Sequence, residues 1–389
     1  MIDGLENVVA AETVLSEVDG AAGRLVIRGH AVEALAGRAS FAEVVHLLFQ
    51  DFFQDLPDGA ALEAALGEAR REVFARCGPL LPALAELDVY DGVRAGVALL
   101  PDGETLADAV RLLAAPAVLT PALLRLREGR DAVEPDPSSG HAADILRMLA
   151  GAPASPAPAA ALDTYLVTVC DHGLNASTFT ARVVASTRAG LASSVLAGLS
   201  ALKGPLHGGA PGPVIEMLDE IAAHGDAHAW LRDRVARGER LMGFGHRIYR
   251  VRDPRADALK RAVRRLGDET THRRVAERLA FAERVEQAAL DVLRAAKPGR
   301  SLQTNVEFYT ALLLEAVGFP APAFTCVFAM SRVAGWIAHA REQQATGRLI
   351  RPQSRYIGPA PDGRRPDRAP ALERARPNER ANEHSRWET

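Results

Sequence analysis

The chain has 389 residues, enough for two domains and a large buried core. Its 46 basic residues against 49 acidic ones give a formal charge of -3, which excludes the global cationic field that draws proteins to nucleic acid or anionic membrane. With 48% apolar and 24% charged residues it is not a disordered chain. Aromatics are only 5%, so the core has to be built from Ala, Leu and Val. Only Lys203, Lys260 and Lys297 are lysines, and in so arginine-rich a chain an isolated Arg carries little information. The longest apolar run, 112–124, is interrupted by Pro116 and Pro121 and is too short to span a bilayer. The opening MIDGLENVVAAE has acids and no basic segment, so no secretory signal is expected. Cys77, Cys170 and Cys326 are far apart, without CxxC spacing, which fits a reducing cytoplasm rather than disulfides.

Near the start, TVLSEV and RLVI flank the turn-prone DGAAG and predict a β-hairpin. Almost everything after it reads as helix. Ser139 is the expected cap of a helix over 141–150, closed by Gly151 and the spacer APASPAP. The segment 160–170 places Leu162, Tyr165, Leu166 and Val169 on one face, and 190–202 is a helix rich in Gly, Ala and Ser, suited to close helix packing or a subunit contact. Pro213 opens a helix that Gly225 ends. In DPRADALKRAVRRLG, Asp253 is the N-cap, Pro254 the first helical residue and Gly267 the stop. A long helix follows up to Gly299; Asn305 then caps one reaching Val317, and another spans 322–347. No strand–helix alternation appears, so a nucleotide-binding parallel sheet is not expected. Residues 359–389, rich in Pro, Arg, Glu and Asp, read as a flexible tail.

Several stretches set ionisable residues beside glycines or at helix starts. His207 sits in GPLHGGAPGP and His246 in GFGHRIYRVRDPR, where backbone can approach a ligand; either also fits an ordinary loop histidine. Arg255 falls in the first turn of its helix, where free N–H groups favour an anion, or it is simply solvated there. Glu307, in NVEFYT, starts a helix whose dipole favours the carboxylate as an anion, a setting a general base shares with routine capping. Arg332 lies amid Phe328, Met330, Val333 and Trp336, so a structural or a ligand carboxylate must answer its charge. His172 marks a break between helical patterns in CDHGLNASTFTARV; His30, His46, His141, His224 and His339 read as surface or core residues. No HxxxH or carboxylate–histidine spacing points to a metal.

In order along the chain, DHGLNASTFTARV, GPLHGGAP, GFGHRIYRVRDPR, NVEFY, SRVAGW and IRPQSRYIGP resemble the citrate synthase family of bacterial type, which includes 2-methylcitrate synthases. The resemblance implies an all-α homodimer. A large domain, 1–208 with 319–358, would embrace a small domain over 209–318 whose closure forms the active site. It implies a Claisen-type condensation of acetyl-CoA with oxaloacetate followed by hydrolysis of the citryl thioester, without metal or further cofactor, in the cytoplasm. By position, His207 resembles the histidine that hydrogen-bonds the thioester oxygen, Glu307 the carboxylate that deprotonates the methyl group, and His246 the histidine that polarises the ketone. His172, Arg255 and Arg332 match oxaloacetate ligands, and Arg351 an arginine supplied by the neighbouring subunit. Arg250 and the segment Leu241, Met242, Gly243, Phe244 and Gly245 resemble the CoA-contacting region. One position departs: the family usually has Asp in NVDFY. The extra methylene of Glu307 moves the carboxylate by something over ~1 Å, a misplacement that can cost ~10²-fold in rate. The alternatives are a 2-methylcitrate synthase using propionyl-CoA and a weakened paralogue that binds oxaloacetate or acyl-CoA as a regulator.

Overall fold

The computed structural model describes residues 5, 8–208, 211–245, 249, 251–268, 273–354 and 356. Its only sheet among these is a hairpin of β1 (Ser16–Asp19) and β2 (Arg24–Ile27), Ser16 opposite Ile27, extended by the two-residue β3 (His30–Ala31). The remaining regular structure among the described residues is helical, from α1 (Val32–Leu35) to α16 (Phe324–Thr346).

The first helices build a wall. α2 (Phe41–Phe49) begins with a capping box between Ser40 and Glu43, and α3 (Gly59–Cys77) is capped by Asp58. After α4 (Leu81–Ala85) and α5 (Val89–Val97), α6 (Leu106–Arg127) runs unbroken through Pro116 and Pro121, contrary to the expectation that these prolines interrupt the apolar run. Each proline removes one backbone donor. Burial of the whole stretch against α3, α5, α7 (His141–Ala150) and α16 outweighs that loss. α6 and the 321–345 segment are long and apolar enough to cross a membrane, and both are mostly buried inside the protein. α7 starts at Gly140, not from a Ser139 cap: the Ser139 hydroxyl donates to Asp136 and the Glu63 carboxylate accepts from the His141 amide.

α8 (Pro156–Val169) takes in part of the expected spacer, with Pro156 in its first turn. α9 (Ala176–Ala185) follows the break at His172, where Gly173 adopts φ +58°. α10 (Leu191–Leu202), the small-residue helix, packs on α9 and α16; a Cβ on Gly198 would lie 2.6 Å from the Trp336 indole. α11 (Gly212–His224) and α12 (Ala227–Ala236) lead to α13 (Pro254–Gly267), capped by Asp253, then α14 (Arg273–Ala296) and α15 (Val306–Ala316), capped by Asn305. α13 packs on both α8 and α15, and α16 passes beside α6, α8, α9 and α10. The residues of interest therefore come from the starts of α13 and α15, the loops before α9 and α11, and the middle of α16.

Candidate active site

Glu307 stands one residue into α15, on a platform that the LMGFG segment builds. Phe244 pairs with Thr304, the Gly245 amide donates to the Gln303 carbonyl, and the Asn305 amide donates to the Gly243 carbonyl. The Asn305 side chain caps α15 by accepting from the Glu307 amide at 3.0 Å and donates through Nδ2 to the Gly245 carbonyl at 2.8 Å. Gly243 has φ +83°, and a Cβ there would lie 2.8 Å from the Phe308 ring, so only glycine fits this approach. Leu241 and Phe244 are buried.

Burial raises the Glu307 pKa to about 7; nearby Arg255 and Arg240 oppose the rise and Asp253 adds to it. The helix dipole alone predicts a readily ionised carboxylate, so desolvation has overturned that expectation.

Arg255 is also buried, and its guanidinium grips Asp253 with two bonds, Nε to Oδ1 at 3.0 Å and an Nη to Oδ2 at 2.8 Å. Asp253 further accepts from the Arg255 amide and, at 3.1 Å, from the Val306 amide, so one carboxylate joins the starts of α13 and α15. The anion expected at the start of α13 is thus met by the protein's own N-cap. Burial works against the Arg255 charge and Asp253 more than offsets it, leaving its pKa raised.

His207 is partly buried, and its Nε2 lies 2.7 Å from the Ser177 hydroxyl. That hydroxyl accepts from Trp336 Nε1–H at 3.1 Å and lies 2.8 Å from Asn175 Oδ1. Its single proton can serve Asn175 or His207. Given to His207, it leaves Nδ1 as the protonated, donating nitrogen of a neutral ring. Burial, then the charge of Arg332, lowers the His207 pKa to about 4, so the ring is neutral near pH 7.

Arg332 is fully enclosed in α16. Its Nε donates to the Val169 carbonyl at 2.8 Å and its guanidinium lies 4.7 Å from the Phe328 ring centroid. No carboxylate lies within ion-pairing distance of it among the described residues; Asp171 acts on it only at longer range, and burial pushes its pKa down to about 10. Of the two answers expected for this charge, the structural carboxylate is not met there. Arg332 also acts electrostatically on Arg255 and His207, which draws the three into one neighbourhood.

His172 is buried with Nε2 3.2 Å from the Tyr249 hydroxyl, the rings edge to face at 68°. The preceding Asp171 accepts from Ser16 of β1 and from the Gly173 amide, and faces His339 Nε2 at 3.3 Å. His339 Nδ1 sits 3.0 Å from an Arg182 nitrogen, so His339 is a core residue tied into a polar network. Arg351 is exposed beyond α16. His246 and Arg250 lie outside the described residues, as does the expected tail.

Sequence reasoning passed over Ser177, Tyr249 and the second task of Asp253. Asp253 was visible as a cap; its bond to Val306, 53 positions away, has no local signature.

A neutral histidine, a carboxylate titrating near neutrality and two buried arginines, held by an almost wholly helical frame, define an enzyme that moves a proton beside an anionic substrate. The family model "Citrate synthase, C-terminal domain" matches residues 4–353. The citrate synthase of Haloferax volcanii is 38% identical over 374 residues, covering 91% of this chain and 95% of that one. The 2-methylcitrate synthase of Mycobacterium tuberculosis is 35% identical over 368 residues, covering 91% and 90%. Among solved structures, the ternary complex of citrate synthase from Thermoplasma acidophilum with carboxymethyl coenzyme A and oxaloacetate superimposes with a TM-score of 0.80, at 29% identity, covering 95% of this chain and 98% of that one. The chain belongs to the citrate synthase family and is an acyltransferase of that type.

Proposed function

We propose that the enzyme condenses acetyl-CoA with oxaloacetate and hydrolyses the resulting thioester to citrate and CoA. The observation that carries this reading is the opposed tuning of two partly buried groups: burial raises Glu307, beside Arg255, to about 7 and lowers His207, beside Arg332, to about 4. A carboxylate poised near neutrality takes a proton best, while a neutral imidazole donates a hydrogen bond without carrying a charge.

Glu307 removes a proton from the acetyl methyl group, and His207 donates to the thioester oxygen as it gains charge. The enolate carbon then attacks the ketone of oxaloacetate, whose oxygen is met by His246, and water cleaves the thioester. Arg255, Arg332 and His172 hold the dianion; enclosed Arg332, with no ion pair among the described residues, supports this because a ligand carboxylate would answer its charge. Arg250 and the LMGFG segment contact CoA, the segment through its backbone and Met242, because Leu241 and Phe244 face the core. Arg351 completes the pocket of a partner in a homodimer, and residues 209–318 move as a small domain against the remainder. The enzyme works in the cytoplasm, in the tricarboxylic acid cycle, with acetyl-CoA as co-substrate and no metal.

The test is thiol release with saturating oxaloacetate, comparing acetyl-CoA with propionyl-CoA. Faster release from propionyl-CoA would assign a 2-methylcitrate synthase, a reading with which the M. tuberculosis relative of that name is consistent. No release above background from either would remove the catalytic reading in favour of a regulator.

A further inference from the structure

We propose that Tyr249 is a positioning residue of the oxaloacetate pocket, its hydroxyl fixing the His172 imidazole and its ring face backing the Arg255 guanidinium. The inference rests on the reading of His172 and Arg255 as oxaloacetate ligands.

One aromatic ring touches both groups. The hydroxyl lies 3.2 Å from His172 Nε2, the two rings meet edge to face with centroids 5.7 Å apart, and the Arg255 guanidinium carbon lies 5.8 Å from the Tyr249 centroid. A histidine turns about two side-chain bonds, and a hydrogen bond at one nitrogen together with an edge-on ring removes both freedoms. A guanidinium against an aromatic face keeps its plane, and Asp253 holds one edge of that plane through two bonds. Tyr249 is only 2% exposed, and its burial pushes the phenol pKa up, so the hydroxyl keeps its proton at every pH at which the enzyme works.

The support for Tyr249 is itself held from two sides. Gly23, in the turn of the N-terminal hairpin, comes so close to the following residues that a Cβ on it would lie 2.6 Å from Val251 Cγ2 and 3.2 Å from the Arg252 carbonyl oxygen. Arg252 in turn pairs with Asp257 at 2.6 Å and Glu286 at 3.0 Å. Glu286 also accepts from Thr304 and Tyr309, which carry the approach to Glu307 and its helix. The same hairpin reaches the other partner: Ser16 donates to Asp171, the neighbour of His172, and accepts from the Gly173 amide at 3.0 Å. His172 and Tyr249 come from segments 77 positions apart, yet both are registered on one hairpin. A tyrosine that merely filled core would not need its hydroxyl aimed at a substrate ligand.

The experiment replaces Tyr249 by Phe, which keeps the ring and its contact with Arg255 and deletes the hydroxyl. Oxaloacetate affinity is read by calorimetry and as KM, alongside KM for acetyl-CoA and the melting temperature. The expected result is oxaloacetate Kd and KM raised about tenfold, the scale of one lost hydrogen bond to a buried group, with the acetyl-CoA KM unchanged and the melting temperature lowered by no more than a few degrees. In a His172→Ala background the same Tyr249→Phe change should alter oxaloacetate affinity less than twofold, because the hydroxyl then has no imidazole to hold. Unchanged or tighter oxaloacetate binding by folded Tyr249→Phe protein overturns the inference, as does an equal loss with and without His172. A parent enzyme that condenses nothing and binds no oxaloacetate brings down the functional reading, and this inference with it. A competent parent with an indifferent Tyr249→Phe variant brings down this inference alone.

Discussion

Glu307 is under two opposed pressures: it must lose its proton to act as a base, and its surroundings favour keeping it. With its pKa near 7, the catalysed rate should rise with pH through about 7 as the carboxylate forms, measurable as kcat/KM against pH. Stability should run the other way. The folded state holds this proton more tightly than the unfolded chain, so the contribution is complete below the ordinary Glu pKa and is lost as pH rises through about 7. Glu307→Gln should therefore melt higher than the parent at pH 8 and at the same temperature near pH 4, while turnover falls by about 10²-fold or more. Glu307→Asp tests the geometry: the cap, the Asp253 bond to Val306 and the Gly243 approach fix the helix start around the longer side chain, so shortening it should lower turnover. A rise would show that the extra methylene is a defect. Exchange of the acetyl methyl protons with solvent, in the presence of a non-condensing oxaloacetate analogue, isolates the step.

At the scale of the element, the start of α15 is where sequence and structure agree in outline and part in detail. Asn305 before an apolar run is a local signal, and the helix begins there. Its bond to the Gly245 carbonyl depends on a segment 60 positions away, which no local pattern encodes. Asn305→Ala should cost about 1–2 kcal/mol in denaturant unfolding, the scale of a lost cap. It should lower turnover by a larger factor than Asn305→Ser, because serine can cap the helix but does not reproduce the amide's donation to Gly245. The same division explains α6 and Glu307. Proline chemistry argued for a break at Pro116 and Pro121, and dipole chemistry for an easily ionised carboxylate; in both places burial by distant parts of the chain was the larger effect. The motif order was legible because each motif is short and self-contained. Tyr249 and Ser177 were not, because each acts only through a residue brought to it by the fold.

For the molecule as a whole, the proposed homodimer makes a prediction that a monomer could not satisfy. If Arg351 serves the neighbouring pocket, Arg351→Ala and Arg255→Ala proteins are each inactive alone. Mixed under subunit exchange, they should regain activity in the heterodimers, at about one competent site for each. Failure to regain activity despite demonstrated exchange would place Arg351 in its own chain's pocket.

The N-terminal hairpin also imposes an order on biosynthesis. Thr13 and Val14 bond to Glu342, 329 and 328 positions further on, Ser16 to Asp171, and Gly23 packs on Val251. Thr13 and Val14 are therefore translated 329 and 328 positions ahead of Glu342, and loop-closure entropy delays such docking until α16 exists. A nascent chain halted before α16 should be cleaved by protease within residues 13–31, whereas the chain that includes α16 should resist there. The strand pair precedes its partners in translation yet becomes fixed only after α16 is made, and the pocket at His172 takes its final shape only then.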